Sequence, residues 1–373
     1  MLALPSFPEY FRFPMSFTLE QLVDDACHER GAKQIRAAGR LMTMLDDRPH
    51  LLPDLFRVMA SRFTTPPHPR MLLGITGAPG AGKSTLTDAL IGSWRTLYPD
   101  RKVGVVAVDP SSPFTGGAVL GDRVRMMRHA TDPNVFVRSL ATRGHLGGLT
   151  LGVKGVVQVL AMIGCDLVII ETVGVGQSEV EVAKTADHVF VVLAPGHGDT
   201  IQMLKAGLME IADDFVINKA NREGTNTLHS QLLQTLTLGA SSPSEDEQSH
   251  HQGELEAAGV DPAMAELGMH SRGGARVFLV SATNRTGTDE LAQAMHATAD
   301  EKQAVWAERR THRLTTETVE AIVNQAHELL LESLGRGGPE MASRILTGGA
   351  SVEALAKELV AKTCCKFPLP SPV

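Results

Sequence analysis

A doubly wound, mostly parallel α/β sheet of about seven strands is the fold this sequence predicts, on three observations. Seven short apolar runs rich in β-branched residues stand at MLLGITG (71–77), KVGVVAVD (102–109), VFVRSL (135–140), DLVIIETVG (166–174), HVFVVLAP (188–195), DFVINK (214–219) and RVFLVSA (276–282). Most are apolar nearly throughout instead of alternating, as strands covered on both faces are. Helix-length segments separate them, the order of a parallel sheet with crossover helices. With 373 residues the chain exceeds the size at which a single core usually stops growing, so one large domain with helical additions, or two domains, is expected.

Taken in order, the chain is helical in pattern from Phe17 to about Phe63. Leu19, Leu22, Val23 and Ala26 share one face, and Ile35, Leu41, Met42 and Leu45 follow with similar spacing. The stretch TTPPHPR then forces an extended linker, which sets residues 1–66 apart as an N-terminal helical extension. The strands and their helices occupy 67–287. Inside that span 240–274, beginning ASSPSEDEQSHHQGE, is polar and lacks a period, so it reads as a surface insertion with at most one short helix. His250 and His251 there read as solvated loop residues, because no Cys or carboxylate stands at a spacing that would close a metal site. From Thr288 the helical pattern resumes in LAQAMHATADEKQAVWAERR and TVEAIVNQAHELLLESLG. Residues 288–373 are expected to be a helical dimerisation region, although amphipathic helices of this kind either pack on the sheet or pair with a second chain.

The bulk composition narrows the function classes. A formal net charge of -7 gives no broad basic footprint, so nucleic acid is not the expected partner. The four cysteines, Cys27, Cys165, Cys364 and Cys365, form no CxxC pair and no zinc-like spacing. They predict a reducing, cytoplasmic setting. The start MLALPSFPEYFRFPMSF lacks a basic residue ahead of a continuous apolar core, and no run of 18 apolar residues occurs, so neither a targeting segment nor a membrane span is expected.

The strongest local signal is GAPGAGKST, directly after the first apolar run and directly before the helix-like TLTDALIGSW. Gly77, Ala78, Pro79, Gly80, Ala81, Gly82, Lys83, Ser84 and Thr85 thus satisfy GxxxxGK[ST] in the strand–loop–helix context that a P-loop needs. Glycines let backbone N–H groups turn inward on phosphates, Lys83 reaches the β and γ oxygens, and Ser84 supplies a Mg²⁺ ligand. A P-loop NTPase also needs a carboxylate at the end of a neighbouring strand to hold the metal. Asp109 in VVAVDPSS and Glu171 in DLVIIETVG both close apolar runs, where ligands sit in such sheets. ETVG then reads as a γ-phosphate-sensing loop, with the Gly174 N–H on the phosphate. Between runs two and three, VDPSSPFTGGAVLGDRVRM carries Asp122, Arg123 and Arg125 in a loop suited to ordering on Mg²⁺ and phosphate. Arg123 suits neutralisation of transition-state charge, or equally a surface pair with Asp122.

Two later loops, INKAN (217–221) and VSAT (280–283), stand in the order of base-reading loops. Asn218 and Lys219 match the Asn-Lys-x-Asp pattern of guanine sites, the Lys219 stem lying along the base and the Ser281–Ala282 backbone, with Thr283 after it, meeting the guanine oxygen. Position 221, however, is Asn. An Asp accepts from both guanine N1–H and the exocyclic amine, whereas Asn has one acceptor oxygen and an amide donor that faces a donor. The loss is expected to cost on the order of 1.5–3 kcal/mol. GTP is expected to remain the ligand but to bind more weakly than with Asp, and Asn221→Asp to tighten it.

The strings GAPGAGKST, VDPSSPFTGGAVLGDRVRM, TRGHLGGL, ETVGVGQSEVEV and GDTIQMLKAGLMEIAD together closely resemble the MeaB/ArgK family of SIMIBI-class P-loop GTPases, from about residue 18 to about 335. Members are G-protein chaperones of adenosylcobalamin-dependent acyl-CoA mutases such as methylmalonyl-CoA mutase. The resemblance implies a homodimeric GTPase of low intrinsic rate that binds GTP or GDP with Mg²⁺ and gates cobalamin loading or repair in a mutase partner. It implies Lys83 and Ser84 on phosphate and metal, Asp109, Asp122 and Glu171 around the metal, and Asp199, Gln202 and Lys205 in a partner-responsive loop. Gln177 stands after the second glycine of GVGQ and is not assigned a water-orienting role. No DxHxxG motif is present, so cobalamin is expected only through another chain. Two other functions fit the same loop: a nickel-type metallochaperone GTPase, for which only His250 and His251 speak, and a small-molecule kinase, for which no acceptor-site motif stands out.

Overall fold

The computed structural model describes residues 17–29, 31–109, 127–129, 131–141, 146–172, 182–196, 208–239, 275–313 and 315, without the side chains of 109, 127, 141, 146–151, 208, 210, 238 and 239. All seven predicted runs form strands: β1 (Met71–Gly77), β2 (Lys102–Asp109), β3 (Val135–Ala141), β4 (Cys165–Thr172), β5 (His188–Leu193), β6 (Asp214–Ile217) and β7 (Val277–Leu279). They form one sheet in the order β3-β2-β4-β1-β5-β6-β7, and each neighbouring pair is parallel. β1 is buried along its whole length between β4 and β5, which is why MLLGITG has no polar alternation. β7 departs from that pattern. Val277 and Phe278 are half-buried and Leu279 is 41 % exposed, because no described strand lies beyond this edge.

The connection from β1 leads to β2 on one side, while β4 leads to β5 on the other. Such a reversal opens a crevice at the carboxyl ends of the strands, and it is there that the sequence motifs lie. Several predicted runs outlast their strands: Ala194–Pro195, Asn218–Lys219 and Val280–Ala282 have already left the ladder and entered loops.

Helices α1 (Leu19–His28), α2 (Ala32–Asp47) and α3 (Leu52–Ala60) form the N-terminal extension. Thr18 starts α1 with a capping box, its hydroxyl accepting from the Gln21 N–H and the Gln21 side chain accepting from the Thr18 N–H. These helices share a core with the sheet. Leu22, Val23, Leu41, Leu45, Leu55 and Met59 pack in one apolar cluster with Val153, Val156 and Leu160 of α5 (Leu146–Met162) and with Val106, Leu140 and Val168 of the strands. Burying each such side chain contributes about 1.5–3 kcal/mol, so the extension braces the sheet face rather than hanging from it.

α4 (Lys83–Leu97) follows the glycine-rich loop, and α6 (Thr225–Gly239) follows the INKAN loop. The chain divides into two compact units, 1–300 and 301–373. Residues 288–300 of the first are helical and bury Leu291, Ala292, Met295 and Ala299; residues 301–313 of the second are helical and bury Trp306. Among the described residues no helix is long and apolar enough to cross a membrane.

Candidate functional site

The site is built where β1 turns into α4. Gly77 ends β1 at φ 133°, and a Cβ there would lie 2.2 Å from the Val192 carbonyl oxygen of β5. Gly82 caps α4 in the left-handed region at φ 89°, and its Cβ would lie 2.6 Å from the Asn218 side chain. Both positions therefore demand glycine, for backbone conformation and for space. The loop between them aims the first N–H groups of α4 at the crevice, where an anion is favoured. Lys83 is only 6 % exposed, and its ammonium donates to the Gly77 and Ala78 carbonyls at 2.7 and 3.1 Å. It is thereby arched back over the loop, positioned to trade a carbonyl for a phosphate oxygen.

Ser84 in the first turn of α4 is 8 % exposed, and Glu171 near the end of β4 is 3 % exposed. Glu171 stands in register with Ile75 on β1 and Ala107 on β2, so its carboxylate is carried by the strand beside the P-loop strand. Asp109 ends β2 opposite Ala141, next along the same edge; its side chain lies outside the described residues. A hydroxyl and a buried carboxylate are the hard oxygen donors that Mg²⁺ takes beside phosphates, so the residues present fit that ion.

Three loops meet at Asn218, which is 2 % exposed. Its Nδ2 donates to the P-loop carbonyls of Ala81 (3.0 Å) and Gly82 (3.2 Å). Its Oδ1 accepts from the N–H groups of Lys219 (2.7 Å) and Ala282 (3.1 Å). One side chain thus locks the INKAN and VSAT loops to the P-loop. Lys219 sits at φ 59°, a strained region for a non-glycine residue. It is held there by the Asn218 oxygen and by its own ammonium, which donates to the Gly80 carbonyl at 2.6 Å. Burial, and then the charge of Arg222, hold that ammonium below its ordinary pKa. The lysine stem therefore spans from the INKAN loop to the P-loop, as a wall for a flat base must.

The VSAT loop is a tight hairpin. Ser281 exchanges backbone hydrogen bonds with Thr286 at 2.9 and 3.2 Å, and Ala220 N–H donates to the Val280 carbonyl at 3.0 Å. Thr283 lies in the turn between them. Because Ser281 N–H serves Thr286 and Ala282 N–H serves Asn218, a guanine oxygen would share the Ala282 donor with the asparagine instead of finding it vacant. Asn221 is exposed, and its Oδ1 accepts from the Ser281 hydroxyl at 3.0 Å.

Asp88, one turn after Ser84, is a site element that the sequence did not single out. It accepts from Arg128 Nε at 2.5 Å and lies 3.1 Å from His129 Nε2. Two turns further along α4, Arg95 Nε donates to Asp132 at 2.8 Å. The segment after the loop carrying Asp122 and Arg123 is thus strapped to the helix that bears Ser84. The i, i+4 spacing from Ser84 places Asp88 on the same helix face, but nothing local pointed to partners 40 residues away. Asp122, Arg123, Gly174, Gln177, Asp199, Gln202, Lys205, His250 and His251 lie outside the described residues.

A parallel sheet with a glycine-bound loop opening a helix, a buried lysine arched over that loop, and an Asn-Lys loop stapled to it define a P-loop nucleotide-binding protein. The family model described as methylmalonyl Co-A mutase-associated GTPase MeaB matches residues 55–334, and the chain belongs to this MeaB/ArgK family of SIMIBI-class P-loop GTPases. It is 36% identical over 264 residues to the GTPase ArgK of Escherichia coli, covering 70% of this chain and 71% of that one. A GTPase of Pyrococcus abyssi is 48% identical over 217 residues, covering 58% of this chain and 65% of its own length; for a Pyrococcus horikoshii relative the latter share is 52%. The chain thus spans between about half and two thirds of the length of these archaeal relatives. The crystal structure of a LAO/AO transport system kinase superposes with a TM-score of 0.54 at 22% identity, covering 91% of this chain and 96% of that one, a likeness of fold.

Proposed function

We propose that this protein binds and hydrolyses GTP and, as a homodimer, uses the nucleotide state to gate cobalamin loading or repair in an adenosylcobalamin-dependent acyl-CoA mutase. The observation that carries the nucleotide half is the Asn218 staple, which brings phosphate loop and base loops to one crevice. The partner half is supported by the family, described as methylmalonyl Co-A mutase-associated, and by a Caenorhabditis elegans relative named as a methylmalonic aciduria type A homolog, 45% identical over 147 residues, 39% of this chain and 37% of that one.

Lys83 would bind the β and γ oxygens, and the α4 N–H groups the remaining phosphate charge. Ser84, Glu171 and Asp109 would hold Mg²⁺, with Asp122 joining them; when bound, the ion neutralises charge between the phosphates. Gly174 N–H would sense the γ-phosphate and Arg123 would meet developing charge. Asp199, Gln202 and Lys205 would respond to the mutase. Cobalamin enters only through that partner.

Phosphate release from GTP and Mg²⁺, measured with and without acyl-CoA mutases from the same organism, tests the reading. Co-purification and a change in turnover are expected. If label passes from the γ-phosphate to a small-molecule acceptor, or no mutase binds or alters the rate, the reading fails. Sedimentation with GDP and with a non-hydrolysable analogue tests the dimer.

A further inference from the structure

We propose that Asn221, oriented by Ser281, makes the base pocket favour a purine with a 2-oxo group over one with a 2-amino group, so that xanthine nucleotides bind at least as tightly as guanine nucleotides. The inference rests on the nucleotide-site reading above and sharpens it to a base preference.

The Ser281 hydroxyl donates to Asn221 Oδ1 at 3.0 Å. It is delivered from a fixed point: Ser281 is 4 % exposed, and both its backbone groups are tied to Thr286. The neighbouring Ala220–Val280 bond holds the two loops in register beside it. With the amide oxygen turned toward Ser281, the amide nitrogen forms the free edge of the side chain. The oxygen keeps one further lone pair, so the edge offers one acceptor beside donors. Such an edge pairs with a ring that presents N–H beside a carbonyl, as the N1–H and 2-oxo group of xanthine do. Guanine presents N–H beside an amine, which sets donor against donor. A carboxylate at 221 would accept from Ser281 and from both guanine donors together, so the single change from carboxylate to amide decides the sign. Hypoxanthine, with N1–H and nothing at C2, falls between the two.

The test is calorimetry on the full chain with Mg²⁺ and GDP, IDP or XDP, for the wild type, Asn221→Asp and Ser281→Ala, each checked for an unchanged urea midpoint. In the wild type XDP is expected to bind at least as tightly as GDP, with IDP between. Asn221→Asp is expected to tighten GDP by about tenfold or more and to weaken XDP by a similar factor. Ser281→Ala, which frees the amide to turn over, is expected to move the XDP-to-GDP ratio toward GDP by about threefold or more. GDP binding more tightly than XDP in the wild type overturns the preference, and an unchanged ratio in Ser281→Ala overturns the role of the serine. Should the serine variant not fold, the wild type and Asn221→Asp decide alone. If none of the three nucleotides binds, the nucleotide-site reading itself falls, an outcome distinct from a reversed preference.

Discussion

Asn218→Ala is expected to damage fold and site together. The side chain makes four hydrogen bonds, of which those to the Ala81 carbonyl and from the Ala282 N–H are buried and those to Gly82 and from Lys219 are partly buried. A buried group left without its partner costs about 1–3 kcal/mol, and the partly buried pair can recover water. The two buried bonds therefore set a loss of roughly 2–6 kcal/mol, a large part of the ~5–15 kcal/mol that holds a domain. Asn218→Asp separates the two halves: the carboxylate keeps acceptors for Lys219 and Ala282 but has no donor for the P-loop carbonyls. Urea unfolding without nucleotide reads the stability, and GDP titration reads the site. Both variants should unfold at lower urea, and GDP affinity should fall by at least about tenfold, because the base loops are no longer registered on the phosphate loop. A loss under about 0.5 kcal/mol with GDP binding unchanged would refute the reasoning.

Gly77→Ala places a Cβ 2.2 Å from the Val192 carbonyl in a backbone region that L-residues avoid, so a loss of about 3 kcal/mol or more is expected, read as a melting temperature lower by about 6–12 °C. Lys83→Ala should leave the sheet intact by circular dichroism yet weaken GTP by about thirtyfold to a thousandfold, because the buried ammonium is replaced by nothing that can meet phosphate. Burial pushes the Asp214 carboxyl up, but hydrogen bonds from His188 and Arg276 outweigh it and hold the pKa at about 2, below the ordinary 3.8. A depressed folded-state pKa gives stability that is present above the ordinary value and lost as pH falls through the folded one. The urea-midpoint gap between wild type and Asp214→Asn, worth about 2 kcal/mol from this pKa difference, should thus be full above pH ~4 and shrink toward pH ~2.

The seven strands and the P-loop were legible in the sequence because both are local. A strand buried on two faces must be apolar throughout, and a backbone that wraps phosphate must be glycine at Gly77 and Gly82. The same holds for INKAN as a loop that follows an apolar strand, since its residue order is local. What the sequence did not show were the long-range partners. Nothing near Asp88 announces Arg128 and His129, and nothing in TVEAIVNQ-like or LEQLVDDA-like periodicity says which core a helix joins; α1 to α3 turned out to share theirs with α5 and the sheet. Likewise, the sequence showed Asn221 where the guanine-site pattern has Asp, but only the folded hairpin placed the Ser281 hydroxyl 3.0 Å from its oxygen and so gave the amide a direction. Local spacing determines periodicity and motif, since neighbours in sequence are neighbours in space within one element. Which side chain faces which across 60 or more residues is settled by tertiary packing alone.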